Sequence, residues 1–226
     1  MNLHIGGFVP LTLSDFPGTV AAIVFLRGCT MRCPYCHNHP LCGPGPDLGV
    51  ATVLARLAER RSRLGGVVVS GGEPTLHPGL PEFLAALKAL GLRVKLATNG
   101  SRPGALASLV QAGLVDHVAL DLKSTWADYH RLTGVDGTTV AESLGVLRTG
   151  TVAYEVRTTV CGGWHDDQLL TELAGQIRPG ERWYLQPFRP SNGVPDQGAN
   201  LHPPDSELLG RIRDQARRAG IDCHTR

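Results

Sequence analysis

Short apolar runs alternate with amphipathic stripes along almost the whole chain, and this alternation limits the fold more than any other feature. Ala21–Arg27, Gly66–Ser70, Arg93–Ala97, His117–Asp121, Tyr154–Val160 and Trp183–Gln186 read as strands. Thr52–Arg63, Leu80–Leu90, Pro103–Ala112, Thr139–Leu147, Asp167–Ile177 and Asp205–Ala219 read as helices, and Ile221–Cys223 as a last short strand. In the second helix the apolar positions 80, 83, 84, 87 and 90 form one face at helical spacing. Six strand–helix units thus fill residues 21–219 at about 33 residues each, the size of a βαβ repeat. Strands made of continuous apolar runs suit a parallel sheet covered by helices. An open doubly wound sheet and a barrel both satisfy this pattern.

Both architectures bind ligands at the C-terminal ends of parallel strands. Unusual residues stand there in this chain. Cysteines follow the first strand, Gly71-Gly72-Glu73-Pro74 the second, Thr98-Asn99-Gly100 the third and Asp121-Leu122-Lys123 the fourth. Arg157 lies late in the fifth strand, and Gln186-Pro187-Phe188-Arg189-Pro190 follows the sixth. The Pro- and Gly-rich stretches Leu41–Val50 and Phe188–Pro204 are expected to be functional loops.

With 226 residues, 42% hydrophobic and 19% charged, the chain suits one ordinary domain over 1–226, with residues 1–20 as an N-terminal extension. A net charge of +2 argues against nucleic acid as the main partner. The early apolar run Val20–Leu26 is too short to span a membrane, and no secretory signal is visible. The expected setting is the cytoplasm, with reduced thiols.

Cys29, Cys33 and Cys36 form a short loop able to wrap thiolates around a small inorganic core. Cysteine thiolates are the usual ligands of iron–sulfur clusters. Three protein ligands on a four-iron cube leave one iron open, as a catalytic metal requires. A zinc site completed by His37 or His39, and a redox Cys-x-x-Cys pair, are the alternatives. The other motifs on the same rim favour the cluster, since a structural zinc knuckle has no need of them. Cys42, Cys161 and Cys223 are expected to be packing residues, and His77, His165 and His202 exposed loop residues. Arg211, Arg213, Arg217 and Arg218 on the last helix are either a solvated face or a dock for an acidic partner.

The three-cysteine loop with Gly71–Pro74 resembles the radical S-adenosylmethionine (radical SAM) superfamily. Gly6-Gly7, Ser14–Gly18 and Val24–Asn38 resemble the activating proteins of anaerobic ribonucleoside-triphosphate reductase. Asp121–Lys123, Tyr129-His130 and Leu132-Thr133-Gly134 resemble glycyl-radical-enzyme activases more widely. These segments extend over about seven tenths of the chain, from Gly6 to near Asp167. The resemblance implies a 4Fe–4S cluster on Cys29, Cys33 and Cys36, with S-adenosylmethionine chelating the open iron. It implies a deoxyadenosyl radical that abstracts hydrogen from a glycine of a partner enzyme, the anaerobic ribonucleotide reductase. A flavodoxin- or ferredoxin-type protein would donate the electron.

In that reading Gly71 and Gly72 bring bare backbone to the methionine amine, and Glu73 accepts from the ammonium or holds the strand edge. Thr98 and Asn99 meet polar groups of the cofactor or simply form a turn. Lys123 pairs with the carboxylate, and Asp121 contacts the amine or orients Lys123. Arg157 needs an anionic partner. Tyr35 covers the adenine or packs on the barrel wall. Phe188 stacks on adenine and Arg189 binds a carboxylate or phosphate. Formate-lyase-type activases have a cofactor-contacting His near the end of the sixth strand, and the stretch Gln186–Pro190 here has none, a departure that favours the reductase-activator group. A radical SAM enzyme acting on a small molecule, such as a modified-base precursor, is the runner-up. A non-catalytic zinc-binding interaction protein is the third reading. An eight-unit barrel needs about 250 residues. Six units in this length predict an α/β fold: a partial (β/α)6 TIM-like barrel with parallel strands, open on one side.

Overall fold

The computed structural model describes residues 1–191, 194 and 200–226. The remainder of the predicted loop Phe188–Pro204, residues 192–193 and 195–199, lies outside the described residues. One eight-stranded sheet runs in sequence order: β1 (Ile5–Thr12), β2 (Ala21–Leu26), β3 (Gly66–Gly71), β4 (Arg93–Thr98), β5 (His117–Asp121), β6 (Ala153–Val160), β7 (Arg182–Pro187) and β8 (Asp222–Thr225). Strands β2 to β8 pair in parallel. Among the described residues no ladder joins β8 back to β1, so the sheet curves without closing.

The helices are α1 (His39–Cys42), α2 (Val50–Arg60), α3 (Leu80–Ala89), α4 (Pro103–Gln111), α5 (Tyr129–Thr133), α6 (Gly137–Leu147), α7 (Asp167–Ala174) and α8 (Ser206–Arg218). The six expected units are β2–α2, β3–α3, β4–α4, β5–α6, β6–α7 and β7–α8. The short helices α1 and α5 are additions to the sequence reading.

The N-terminal segment is more than an extension. β1 pairs antiparallel with β2 and adds an edge strand. Its sequence, IGGFVPLT, contains two glycines and a proline, which weaken any strand signal. Proline is tolerated on an edge strand because its missing N–H breaks no outer ladder. Register shifts between Val9 and Thr12 bracket Pro10.

Alternate strand residues face opposite sides. Val67, Val69, Val94, Leu96, Val118, Leu120 and Val156 are buried with Leu84, Leu87, Leu106 and Leu144 of the helices in one core. The residues between them face the other way, into the hollow of the curved sheet. There Lys95 Nζ lies 2.8 Å from Glu155 Oε1, both fully buried. Phe16, from the segment after β1, packs with Ala21, Ile23 and Val68 and meets the His117 ring at 6.0 Å. It seals the end of the hollow away from the C-terminal strand ends, leaving those ends for the site. Among the described residues no helix is long and apolar enough to cross a membrane.

Candidate active site

β2 ends at Leu26, and Gly28 turns the chain with φ +84°, a conformation that favours glycine. The Arg27 guanidinium donates to the carbonyls of Pro46, Pro40 and Gly43, and so folds residues 40–46 back beside the cysteine loop. Gly28 N–H donates to Leu41 O at 2.8 Å. Cys29, Cys33, Cys36 and Cys42 line one cavity of about 540 Å³. Burial pushes the Cys29 thiol up and the Cys33 thiol up to about 11. A bound metal reverses that order by holding the thiolate form. Soft thiolates around a roomy cavity fit an iron–sulfur cluster.

They fit a single zinc ion less well. His37 Nε2 donates to Arg189 O at 2.6 Å instead of turning to the thiols. Among the described residues no three His, Cys, Asp or Glu side chains gather closely enough to hold one ion. Cys161 and Cys223 are fully buried, whereas Cys42 is half-buried and shares the thiol-lined cavity.

A second, polar cavity of about 140 Å³ shares the three cysteines and adds Tyr35, Asn38, Gly71, Gly72, Asn99, Asp121, Lys123 and Thr159. It adjoins a groove of about 800 Å³ through His37 and Thr159. That groove runs between Asp15 of the N-terminal segment and Gln186, Arg189 and Arg226. The three hollows form one path from the thiols to solvent.

The glycines at the end of β3 are required by protein backbone. A Cβ on Gly71 would collide with Leu26 O, and one on Gly72 with Gly28 O. Their bare backbone also faces the polar cavity. Glu73 is fully buried and accepts from Thr75 N (3.0 Å), Thr98 Oγ1 (2.8 Å) and Asn99 N (2.7 Å). Of the two expected roles, it performs the edge-holding one, lashing β3 to β4. Neither Glu73 nor Thr98 lines the polar cavity. Asn99 does, and its amide donates to Thr30 Oγ1 at 3.1 Å and lies 3.7 Å from Cys29 Sγ. Asn38 reaches across to donate to Gly71 O at 3.0 Å.

Asp121 and Arg157 are register partners on β5 and β6. Arg157 Nε lies 2.9 Å from Asp121 Oδ1, which supplies the expected anionic partner. Lys123 Nζ lies 3.4 Å from Asp121 Oδ2. Burial pushes the Asp121 carboxyl up, but Arg157 and Lys123 outweigh it and hold the group below its ordinary value. Burial likewise opposes the charge on Lys123, and Asp121 with the Cys33 thiol and the Tyr35 and Tyr129 phenols outweighs it. Two cations thus share the Asp121 carboxylate; Asp121 and Lys123 line the polar cavity, whereas Arg157 does not. Tyr129 fixes this turn: its hydroxyl donates to Asp121 O at 3.1 Å and accepts from Lys123 N at 3.2 Å.

Tyr35 is almost fully buried, and its hydroxyl has no partner among the described residues. An orphaned donor at a cavity wall fits a polar ligand. Phe188 is buried too, stacked on the His37 ring at 5.3 Å and edge-on to Tyr35 at 6.5 Å. It belongs to a small cluster with Leu132 and Cys161. Arg189 is exposed and lies in the side groove, apart from the polar cavity.

One expectation is overturned outright. His165 is buried, accepting from Cys161 N at 3.0 Å through Nδ1 and donating to Lys123 O at 2.9 Å through Nε2. It braces the Lys123 turn from behind. His77 is half-buried and donates to Arg27 O. The sequence holds no periodic signal for His165, because it lies in an irregular turn before α7.

A thiol loop at the first parallel strand end, beside a polar cavity on an open α/β sheet, defines the radical SAM class of enzyme. The Radical SAM superfamily model matches residues 23–168, and the chain belongs to that superfamily, whose members use S-adenosylmethionine and a 4Fe–4S cluster. Within it, the chain is 28% identical over 94% of its length to a Methanocaldococcus jannaschii protein named as a glycyl-radical enzyme activating enzyme, MJ1227, covering 92% of that protein. It is 32% identical over 88% of its length to the pyruvate formate-lyase 1-activating enzyme of Escherichia coli K12, covering 89% of it. Its identity with the 7-carboxy-7-deazaguanine synthase of Hyperthermus butylicus is 38%, but over 53% of this chain and 55% of that one. SuiB of Streptococcus suis, whose structure is also known with S-adenosylmethionine bound, shares the fold at TM-score 0.67 and 14% identity. The overlay covers 88% of this chain and 47% of SuiB, so the chain spans about half of that protein's length.

Proposed function

We propose that this chain is an activase that installs a glycyl radical on a partner enzyme, the anaerobic ribonucleoside-triphosphate reductase. The observation that carries the reading is the extent of likeness. The relatives named as activating enzymes match about nine tenths of the chain, whereas the deazaguanine synthase matches about half of it. The segments Ser14–Gly18 and Val24–Asn38 support the reductase as partner, since they resemble its activators. The groove of about 800 Å³ between Asp15 and Arg189 supports a protein substrate, because a loop of chain can enter it from the side.

S-adenosylmethionine and the cluster, when bound, supply a deoxyadenosyl radical that removes hydrogen from the glycine. The protein holds and orients. Cys29, Cys33 and Cys36 would hold the cluster. Lys123 presents its charge to the cofactor's carboxylate, with Asp121 beside it for the ammonium and Arg157 holding Asp121 in place. Gly71 and Gly72 leave backbone room, and Asn99 fixes the cysteine loop against β4. Tyr35 offers its free hydroxyl to the polar cavity.

The test mixes anaerobically reconstituted protein with S-adenosylmethionine, a reductant and the reductase. A glycyl-radical EPR doublet on the reductase, with one deoxyadenosine formed per radical, is the expected outcome. Deoxyadenosine without the doublet overturns the partner. The second reading, a small-molecule substrate, has the 38% identity over half the chain in its favour. It predicts steady deoxyadenosine release with a purine-like precursor and no reductase present.

A further inference from the structure

Three concave surfaces adjoin on the outer side of the cysteine loop. The thiol-lined cavity shares Cys42 and Gly43 with a second hollow of about 480 Å³. That hollow shares Leu76, His77 and Pro78 with a mostly apolar groove of about 430 Å³ between residues 74–81 and α4. The ionisable groups lining all three, thiols aside, are basic: Arg27, Arg32, Arg102, His4, His39 and His77. No Asp or Glu lines any of them. The nearby Asp47 is already engaged by His4 and by the amides of Ile5 and Gly49. Arg32 and Arg102 are exposed, and no described carboxylate pairs with either.

We propose that this face docks a small acidic one-electron carrier protein beside the cysteine loop. The inference rests on the functional reading above, because only a redox cluster needs such a partner. A basic rim steers an acidic partner, and an apolar centre gives it area to bury. The face meets the cluster ligands directly, so the electron crosses little protein. The 480 and 430 Å³ hollows share no lining residue with the side groove proposed for the substrate loop. Electron delivery and substrate entry therefore use separate surfaces. In the step itself the carrier's reduced centre loses one electron and the cluster gains it; no atom or proton is transferred.

The basic helix α8 is the rival surface. Two of its arginines are paired with carboxylates, Arg211 with Asp167 and Arg213 with Asp214. None of its residues lines the thiol cavity.

The experiment follows bleaching of the reconstituted cluster by a reduced acidic [2Fe–2S] ferredoxin in anaerobic stopped flow. The second-order rate should fall as salt is raised. Arg102→Glu should slow it by about tenfold, and Arg32→Glu/Arg102→Glu further. Arg211→Glu/Arg218→Glu should leave it within about twofold, since those charges lie elsewhere. Photoreduced deazaflavin should bleach every variant at the wild-type rate, which separates lost docking from a damaged cluster loop. If Arg32→Glu fails to hold iron, Arg102→Glu alone carries the test. Wild-type rates with Arg102→Glu, or slowing only in the α8 variant, overturn the docking face. A protein that binds iron and sulfide yet is not reduced even by deazaflavin overturns the functional reading instead.

Discussion

Glu73 gathers donors from Thr75, Thr98 and Asn99 onto one fully buried carboxylate. It works as a splice between two strand ends that each carry site residues. Gly72 next to it shows how tightly that splice is drawn, with Gly28 O in the space a side chain would need. The atom in the way is backbone at the foot of the cysteine loop, so relief must come from moving that loop. Gly72→Ala is therefore expected to cost iron before it costs the fold: less than half the wild-type iron and sulfide after reconstitution, with far-ultraviolet circular dichroism unchanged. Wild-type iron content would show that the loop yields freely. Glu73→Gln keeps the shape but turns one acceptor into a donor that faces other donors. It should lower urea stability by about 2 kcal/mol, as expected for a buried group left unsatisfied. At this scale the sequence identified the residue types that matter but not their tasks. Glycine reads as "no room" without saying whether cofactor or backbone takes the space. A buried His such as His165 reads like an exposed one, because it closes an irregular turn with Cys161, which has no periodicity, and packs on the Lys123 turn, which is distant in sequence.

Among the elements, the interior parallel strands were legible because both of their faces are covered and their apolar runs are unbroken. β1 was not, because an edge strand can carry Pro10 and a Gly pair without losing its one ladder. α5 was missed because five residues are too few for a periodic stripe, yet it carries Tyr129, which fixes the Asp121–Lys123 turn. The last three helices, α6, α7 and α8, each start at an aspartate cap, Asp136, Asp166 and Asp205. α7 begins where the Asp166 side chain accepts from Leu169 N at 2.8 Å. Its neighbour His165 ties the same turn to the site. Removing this cap in Asp166→Ala should cost about 1 kcal/mol of stability. Because His165 lies next to the cap, the loss should appear first as faster hydrogen exchange at Cys161 N–H, which His165 accepts. Uniform exchange changes across α7 with no effect at Cys161 would mean that the cap and the brace are independent.

Across the whole molecule, the hollow of the sheet is polar where a closed barrel of this type is filled by branched apolar side chains. Lys95, His117 and Glu155 stand on β4, β5 and β6 behind the site, with Arg226 at 3.5 Å from Glu155 Oε1. Burial pushes the Glu155 carboxyl up, but the His117 ring 3.4 Å from Oε2 and the hydrogen bond from Lys95 outweigh it and hold the group at about 2, against an ordinary 4.5. An unfolded chain takes up this proton as the pH falls through the ordinary value, whereas the folded chain takes it up only near the lower one. The stabilisation is present in full above about pH 5 and is lost as the pH drops toward 2. Glu155→Gln alone leaves Lys95 buried without its partner and should destabilise at neutral pH by about 3 kcal/mol or more. Lys95→Met/Glu155→Gln removes both charges, a change that is often neutral for a buried pair. That double variant should keep near-wild-type urea stability at pH 7. Between pH 7 and pH 3 it should lose about 2 kcal/mol less than the wild type, because one proton-linked group has gone. Equal losses in the two proteins would place the acid sensitivity elsewhere, in Asp121 and the other paired carboxylates at the strand ends.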